Sequence, residues 1–211
     1  GRLPNPTAKA SLEAKAAALT MYPERYIPHM YHSLKVSDPG GTALVRMNGT
    51  TDFDFAHPRN NYVNGMTIVD AVTKEWRWVH EYTKRPFPSY PLPLGLHLTY
   101  SWSESILAPR RAKKYLDHGY NVAMVVRAHP EEGRPKANSA AIKKMILDRG
   151  EWFGRQVVDG DKSEARWTDP PGSIVLLTAK GKLLNQPQSK FPVYVDGDTL
   201  KPTHLSTGVT L

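Results

Sequence analysis

Short apolar runs that end in charged residues or glycine constrain the fold of this chain more than any other feature. Residues 121–126 are nearly all apolar, which is typical of a central strand buried on both faces. Residues 157–158 lead into Asp159-Gly160-Asp161, and residues 174–179 lead into Lys180-Gly181-Lys182. Ligands bind at the carboxyl ends of strands in open α/β sheets and α/β barrels, so these polar ends are where we expect a site.

The remaining pattern alternates strands with helices. Further strands are predicted at 42–47, 78–83 and 96–101, and helices at 66–74, 109–118 and 138–149. Ile142, Met145 and Ile146 are predicted to form the apolar stripe of the last helix. Alternation predicts parallel βαβ units, but three clear helices are too few for an eightfold barrel. The expected fold is α/β: an incomplete (β/α) barrel or an open, mostly parallel sheet, with an N-terminal helical arm.

Three regions are predicted along the chain. Residues 1–42 form the arm, with helix formers at 8–19 that are broken by Pro23, Pro28 and Pro39-Gly40-Gly41. Residues 43–182 form the α/β core domain, and residues 183–211 form a tail that packs on it. The tail contains Asp196-Gly197-Asp198, which predicts a hairpin or turn.

Composition excludes several classes of protein. Of the 211 residues 40% are hydrophobic, which is enough for a core. No cysteine is present, so disulfides, thiolate zinc sites, iron–sulfur clusters and a cysteine nucleophile are excluded. The absence of cysteine fits the cytoplasmic protein that we expect. No stretch is apolar for long enough to span a membrane, so we expect no membrane partner.

The charge of the chain favours a polyanionic partner. The formal net charge is +8 and the isoelectric point is about 9.6, which points to nucleic acid, although a lysine-rich surface alone would give the same balance. As the partner we expect DNA rather than RNA. Four cations in the predicted helix 109–118 suit backbone phosphates: Arg110, Arg111, Lys113 and Lys114. Of the five tryptophans we expect three in the core, and the others could stack on unpaired bases.

Carboxylates and lysines follow the predicted strands. Asp52 and Asp54 alternate with phenylalanines, so they share one side of an extended segment about 7 Å apart. Asp159 and Asp161 could hold Mg²⁺, act as an acid and base pair, or simply form a turn. A lysine at a strand end could bind phosphate, act as a nucleophile, or lie on the surface.

Two sets of site residues follow from these positions. The predicted catalytic residues are Asp52, Lys84, Glu104, Asp159, Asp161 and Lys180, with Asp159 and Asp161 also as metal ligands. The predicted substrate-binding residues are Asn48, Thr50, Tyr82, Arg85, Thr99, Tyr100, Ser101, Ser103 and Lys182. Phosphate-loop, dinucleotide-binding, zinc-protease and serine-hydrolase signatures are absent.

An ordered set of motifs links the chain to a known group. It comprises Asn48-Gly49-Thr50, Tyr82-Thr83-Lys84, His97 to Ser101 with Ser103-Glu104, Asn121-Val122-Ala123, Asp159-Gly160-Asp161 and Ala179 to Lys182. In this order, over residues 43–182, the chain resembles uncharacterised phage- and plasmid-borne proteins of the "gene product eighty-eight" type. The resemblance implies a mobile-element protein with a barrel-like α/β fold, in the cytoplasm of an infected or plasmid-bearing bacterium. Members often carry cysteines, this chain has none, and the group brings no agreed activity.

Three functions are compatible with the sequence. The first is an enzyme that acts on nucleic acid or a nucleotide, such as a metal- or carboxylate-assisted hydrolase or lyase. The second is a basic nucleic-acid-binding protein without chemistry. The third is a structural or partner-binding phage protein that uses the proline-rich segment 86–93 and the arm. The oligomeric state stays open.

Overall fold

The protein has a mixed α/β fold built on an open, mostly parallel sheet. A computed structural model describes residues 6–48, 52–128, 139–180, 192–196 and 199–202. The helices there are α1 (Pro6–Met21), α2 (Pro23–Ser37), α3 (Ile68–Glu75), α4 (Ala108–Asp117) and α5 (Ser139–Arg149). The strands are β1 (Leu44–Arg46), β2 (Trp78–Thr83), β3 (Leu96–Ser101), β4 (Asn121–Ala128), β5 (Glu151–Trp152), β6 (Arg155–Asp159), β7 (Ile174–Thr178) and β8 (Val193–Val195). They do not close into a barrel, so the predicted fold class is confirmed in its open-sheet form.

The chain divides into two compact units. The first contains residues 1–83 and 88–98, and the second contains residues 84–87 and 99–211. Strand β3 begins in the first unit and ends in the second. The predicted boundaries after residues 42 and 182 stay predictions.

In the first unit, α3 packs against β2, which pairs in parallel with β1. Strand β1 pairs with β2 from Leu44 opposite Trp78 to Arg46 opposite His80. Thr67 caps the N-terminus of α3: its hydroxyl oxygen accepts a hydrogen bond from the backbone N–H of Asp70 at 3.1 Å. This cap satisfies a donor that the first helical turn leaves without a partner. The apolar face of α3 is then buried through Ile68, Val69, Ala71 and Val72.

Helix α2 runs through a proline that was predicted to break the helical pattern. Pro23 occupies the first turn, where a missing N–H costs little, as expected for a helix start. Pro28 lies inside the helix, yet α2 continues to Ser37, so the predicted break at Pro28 is wrong. Helix α2 packs against α1 and α3, and Ile27, just before the proline, is fully buried. Tertiary packing therefore outweighs the lost backbone hydrogen bond.

In the second unit, β4 is the central strand, as predicted. It pairs in parallel with β3, β7 and β8, and β7 pairs in parallel with β6. Seven of its eight residues are buried, which explains its apolar sequence. The tail was predicted to contain a hairpin or turn at 196–198, where residues 197–198 lie outside the described part. What the sequence missed is β8, which adds a strand to β4.

A tight hairpin precedes the segment Asp159-Gly160-Asp161. Strands β5 and β6 are antiparallel, with Trp152 opposite Arg155. The two residues between them, Phe153 and Gly154, both have positive φ values of 54° and 68°, as in the two-residue turns that suit twisted strands. Phenylalanine is unusual there, which is why the sequence predicted only the short strand at 157–158.

Three of the five tryptophans lie in the core, which confirms that prediction. Trp76, Trp102 and Trp152 are buried, whereas Trp78 and Trp167 are half-buried. The side chain of Trp76 also donates a hydrogen bond to Asp38 Oδ2 at 2.8 Å, which ties the loop before β1 to the end of α3.

Candidate functional site

A lysine lies between two aspartates at the carboxyl ends of β6 and β7. Lys143 Nζ is 2.7 Å from Asp159 Oδ1 and 2.8 Å from Asp161 Oδ2. Lys180 Nζ lies 2.8 Å from Asp161 Oδ1. The backbone N–H and the hydroxyl of Thr178 both donate to Asp161 Oδ2, at 2.9 and 2.6 Å. We call these five residues the Lys143 cluster, and the structure brings together three predicted catalytic residues in it.

The glycine of Asp159-Gly160-Asp161 is required by close packing on β7. A Cβ at Gly160 would lie 2.5 Å from Val175 Cγ1 and 3.2 Å from the carbonyl oxygen of Leu176. Its N–H donates to that same oxygen at 2.9 Å, so the backbones are already in contact. The chain turns directly afterwards. From the sequence, this segment could be a simple turn or part of a site. The two interpretations are compatible, because the turn presents both carboxylates to Lys143.

The hydrogen bonds in the Lys143 cluster keep its groups charged. Burial raises the pKa of Asp161, but the hydrogen bonds from Lys143, Lys180 and Thr178 outweigh it and hold that pKa well below its usual range. Burial also raises the pKa of Asp159, but the hydrogen bonds from Lys143 and from the N–H of Asp161 lower it overall. For Lys143, burial lowers the pKa, yet its two carboxylate partners raise it overall. Lys143 is thus an ammonium ion at neutral pH rather than a nucleophile.

The same contacts bear on the magnesium prediction. The ammonium group of Lys143 lies between the two carboxylates that were predicted to hold the ion, so Mg²⁺ bridging them would have to displace it. Within residues 6–48, 52–128, 139–180, 192–196 and 199–202, no three acidic or histidine side chains are grouped closely enough to hold a metal. The role of Asp159 and Asp161 as metal ligands stays a prediction.

In the first unit, polar residues gather around the ends of β1 and β2. Asn48 Nδ2 donates to Glu81 Oε1 at 2.7 Å and to the carbonyl oxygen of Phe53 at 3.0 Å. Thr83 donates to Asp52 Oδ1 at 2.8 Å. Asn48, Glu81 and Thr83 are buried, whereas Asp52 is exposed. The predicted residues Asn48 and Asp52 therefore contact β2, which supplies their partners.

Asp52 and Asp54 bond to different side chains. Asp52 accepts from Thr83, and Asp54 accepts a hydrogen bond from the hydroxyl of Tyr90. The ring of Tyr90 also contacts His57, with centroids 5.1 Å apart. The segment after β1 is thus attached to the proline-rich loop through Asp54 and to β2 through Asp52.

The other predicted site residues have varied surroundings. Tyr100 is fully buried and stacks on Tyr115 of α4, with centroids 5.0 Å apart. Lys84 and Glu104 are exposed, and the carbonyl oxygen of Lys84 accepts from Arg111 at 2.9 Å. Among the rest, buried or half-buried residues are Tyr82, Arg85, Thr99, Ser101 and Ser103. Thr50 and Lys182 lie outside the described residues.

Helix α4 presents cations to solvent. Arg110, Lys113 and Lys114 are exposed, and the opposite face is buried through Ala108, Ala112, Tyr115 and Leu116. Arg111 is half-buried and donates to the carbonyl oxygen of Lys84, so it anchors the helix rather than extending into solvent. Lys113 pairs with Asp117 at 2.9 Å. Of the four predicted basic residues, three therefore form the exposed basic face of α4.

Glu81 was missed from the sequence, and Lys143 was predicted, with Lys144, only as part of a second basic helical face. Glu81 is an acidic residue inside a predicted strand, where a buried carboxylate is rare, and that position was a signal. Lys143 lies on the buried stripe Ser139, Ile142, Lys143 and Ile146, whose spacing of three and four residues marks one helix face. Met145, which was predicted on that stripe, is 40% exposed, so this prediction is wrong. A lysine on a buried stripe requires an anionic partner, and here it has two.

No protein family, curated protein or solved structure matches this chain. The function of the site is therefore inferred from its chemistry. The resemblance to phage and plasmid proteins stays a prediction. Among the described helices, none is long and apolar enough to cross a membrane.

Proposed function

We propose that this protein binds nucleic acid through the exposed basic face of α4. The observation that carries the proposal is the placement of Arg110, Lys113 and Lys114 on the solvent side of one well-packed helix. Backbone phosphates bind such cations through charge alone, without reading sequence. The helix is fixed by its buried face and by the Arg111 anchor, so the cations stand on a rigid support.

The rest of the chain supports a polyanionic partner. The net charge of +8 attracts nucleic acid before contact, which speeds association at low salt. In this proposal the partner is DNA rather than RNA, and the protein serves a phage or plasmid in the bacterial cytoplasm. That setting rests on the ordered motifs of residues 43–182.

Neutralising the basic face is expected to flatten the salt dependence of DNA binding. Each phosphate contact contributes about 0.9 to the slope of log K against log salt, so replacing Arg110, Lys113 and Lys114 with glutamine should lower the slope by about 2 to 3. The measurement is fluorescence anisotropy of labelled DNA across a salt series.

A matched control exists on α5. Lys144 is exposed and pairs with Asp148 four residues on, as Lys113 pairs with Asp117. K144Q should leave the slope unchanged, whereas K113Q should lower it. Equal slopes for the unaltered protein and the triple variant would contradict the proposal.

A second candidate is an enzyme that cleaves the bound strand at the Lys143 cluster. The observation that favours it is the contrast between the two lysines. Lys143 is only 11% exposed, whereas Lys180 is 73% exposed and contacts Asp161. An exposed lysine can turn to a substrate phosphate, while the buried one keeps the carboxylates in place.

The enzyme candidate predicts that K180Q abolishes product formation and leaves the fold intact. Nucleic acid incubated with Mg²⁺ would be analysed on a denaturing gel, with urea unfolding as the check on folding. K162Q removes an exposed lysine one residue beyond Asp161 and should retain activity. If the unaltered protein leaves every strand intact, or K180Q cleaves as fast as K162Q, this candidate is rejected while the binding proposal stands.

A further inference from the structure

An exposed histidine packs on a half-buried phenylalanine next to the basic face of α4. The rings of His118 and Phe87 have centroids 4.4 Å apart and are inclined by 36°. Tyr115 and Tyr120 also contact Phe87, with centroids 5.1 and 5.6 Å away. Phe87 is thus held by aromatic neighbours, while His118 is exposed to solvent.

The orientation of the histidine ring is set by the backbone. His118 Nδ1 lies 2.8 Å from the carbonyl oxygen of Lys114. Because a carbonyl oxygen only accepts, Nδ1 carries the proton of this hydrogen bond. A ring held in place in this way loses little freedom when another ring stacks on it, so binding would cost little entropy.

Two cations of α4 lie on the same side of the helix as His118. Arg110, Lys114 and His118 are four residues apart, which places them in a row with a rise of about 6 Å between neighbours. Lys114 Nζ lies over the ring of Phe87, 5.3 Å from its centroid. The acidic group nearby, Asp117, is paired with Lys113 at 2.9 Å and with Arg155 at 2.7 Å, which offsets its repulsion of phosphate.

We infer that this surface, formed by Phe87, Arg110, Lys114 and His118, binds an unpaired strand of nucleic acid. A base stacks on His118, and the adjoining phosphates contact Arg110 and Lys114. Such a combination of aromatic and basic groups is typical of single-strand binding, because the faces of bases in a duplex are covered by their neighbours. The inference rests on the proposed binding function of α4 and adds the kind of strand and the residue that selects it.

The test compares four labelled probes by fluorescence anisotropy: oligothymidine, oligouridine, a DNA duplex and an abasic DNA strand. The unaltered protein should bind oligothymidine more tightly than the duplex. H118A should weaken oligothymidine binding by about fivefold or more, since stacking is worth that much per base, and should leave abasic binding unchanged. H118F, which keeps a stacking ring, should bind nearly as the unaltered protein does. Comparison of the affinities for oligouridine and oligothymidine shows whether the protein prefers an RNA or a DNA strand.

A second exposed histidine provides the control. His29 lies on α2 in the other unit, and H29A should leave all four affinities unchanged. Equal weakening of abasic and oligothymidine binding in H118A would overturn the inference, because the effect would then be one of charge. Tighter binding of the duplex, or an H118F variant no better than H118A, would also overturn it. If no probe binds in a salt-dependent manner, the proposed function itself is rejected.

Discussion

Replacing Lys143 with methionine is expected to lower the free energy of unfolding by about 2–3 kcal/mol. Methionine keeps an unbranched apolar stem but leaves Asp159 and Asp161 without the ammonium group between them. The side chains of the two aspartates are only 16% and 17% exposed, so water replaces the lost partner poorly. Because some exposure remains, the cost should fall below that of a fully buried pair. Urea unfolding measures the change.

The neighbouring lysine is the natural control for this change. Lys144 lies on the same helix, is 74% exposed and pairs with Asp148, which is 62% exposed. K144M should therefore change stability by less than about 0.5 kcal/mol. Equal urea-unfolding midpoints for K143M and K144M would show that the Lys143 cluster adds nothing to stability. Combining K143M with D159N should cost less than the sum of the two changes, since they remove one shared interaction.

The effect of K143M should also depend on pH. The folded-state pKa values of Asp159 and Asp161 are lowered, so their contribution is present above the unfolded value of about 3.9 and is lost as pH falls through the folded values. The pKa of Lys143 is raised, so its contribution is present below the unfolded value of about 10.4 and is lost at higher pH. The difference between the unaltered protein and K143M should thus be largest between those limits.

Alanine at position 41 is expected to destabilise the first unit by about 3 kcal/mol or more. Gly41 has a φ of +62°, which L-residues adopt at a cost. A Cβ there would also lie 2.2 Å from the carbonyl oxygen of Glu75, and a backbone atom has little freedom to move away. Either the loop before β1 or the end of α3 would have to shift. Thermal or urea unfolding of G41A gives the magnitude.

The adjacent glycine separates this steric effect from a general loss of glycine. A Cβ at Gly40 would contact only Thr42 Cγ2, at an ordinary 3.6 Å. G40A should therefore be neutral or slightly stabilising, because alanine restricts the unfolded chain. A G41A variant as stable as G40A would mean that the close approach to Glu75 is relaxed at no cost.

Strands β4 and β7 were predictable because burial leaves a nearly continuous apolar run. Strands β2 and β3 lie where the sequence placed them, and β7 occupies most of its predicted run. Short elements such as β5 and β8 were missed because two or three residues form no recognisable period. Helix α2 was missed because Pro23 and Pro28 were interpreted as breaks; the proline signal is local, whereas the packing that retains the helix is not.

The candidate site was predictable in position but not in partners. Asp159, Asp161 and Lys180 were placed at strand ends, and the fold brings them together. Lys143 and Lys144 are adjacent lysines, so residue type alone does not distinguish them. Lys143 lies on the buried face of α5 and Lys144 on the exposed face. Arg111 was predicted on the basic face of α4 but does not belong to it. The carbonyl oxygen that it contacts cannot be identified from a charge pattern.

The pairing of β4 has a consequence for how the chain is made. Val126 has Thr178 as its partner on one side and Val193 on the other, so β4 takes neighbours from segments that the ribosome releases much later. Until those segments emerge, β4 has β3 as its sole neighbour among the described strands. A newly made apolar strand with an open edge is prone to association with other chains. Nascent chains that stall before β7 is released would therefore depend on chaperones for solubility.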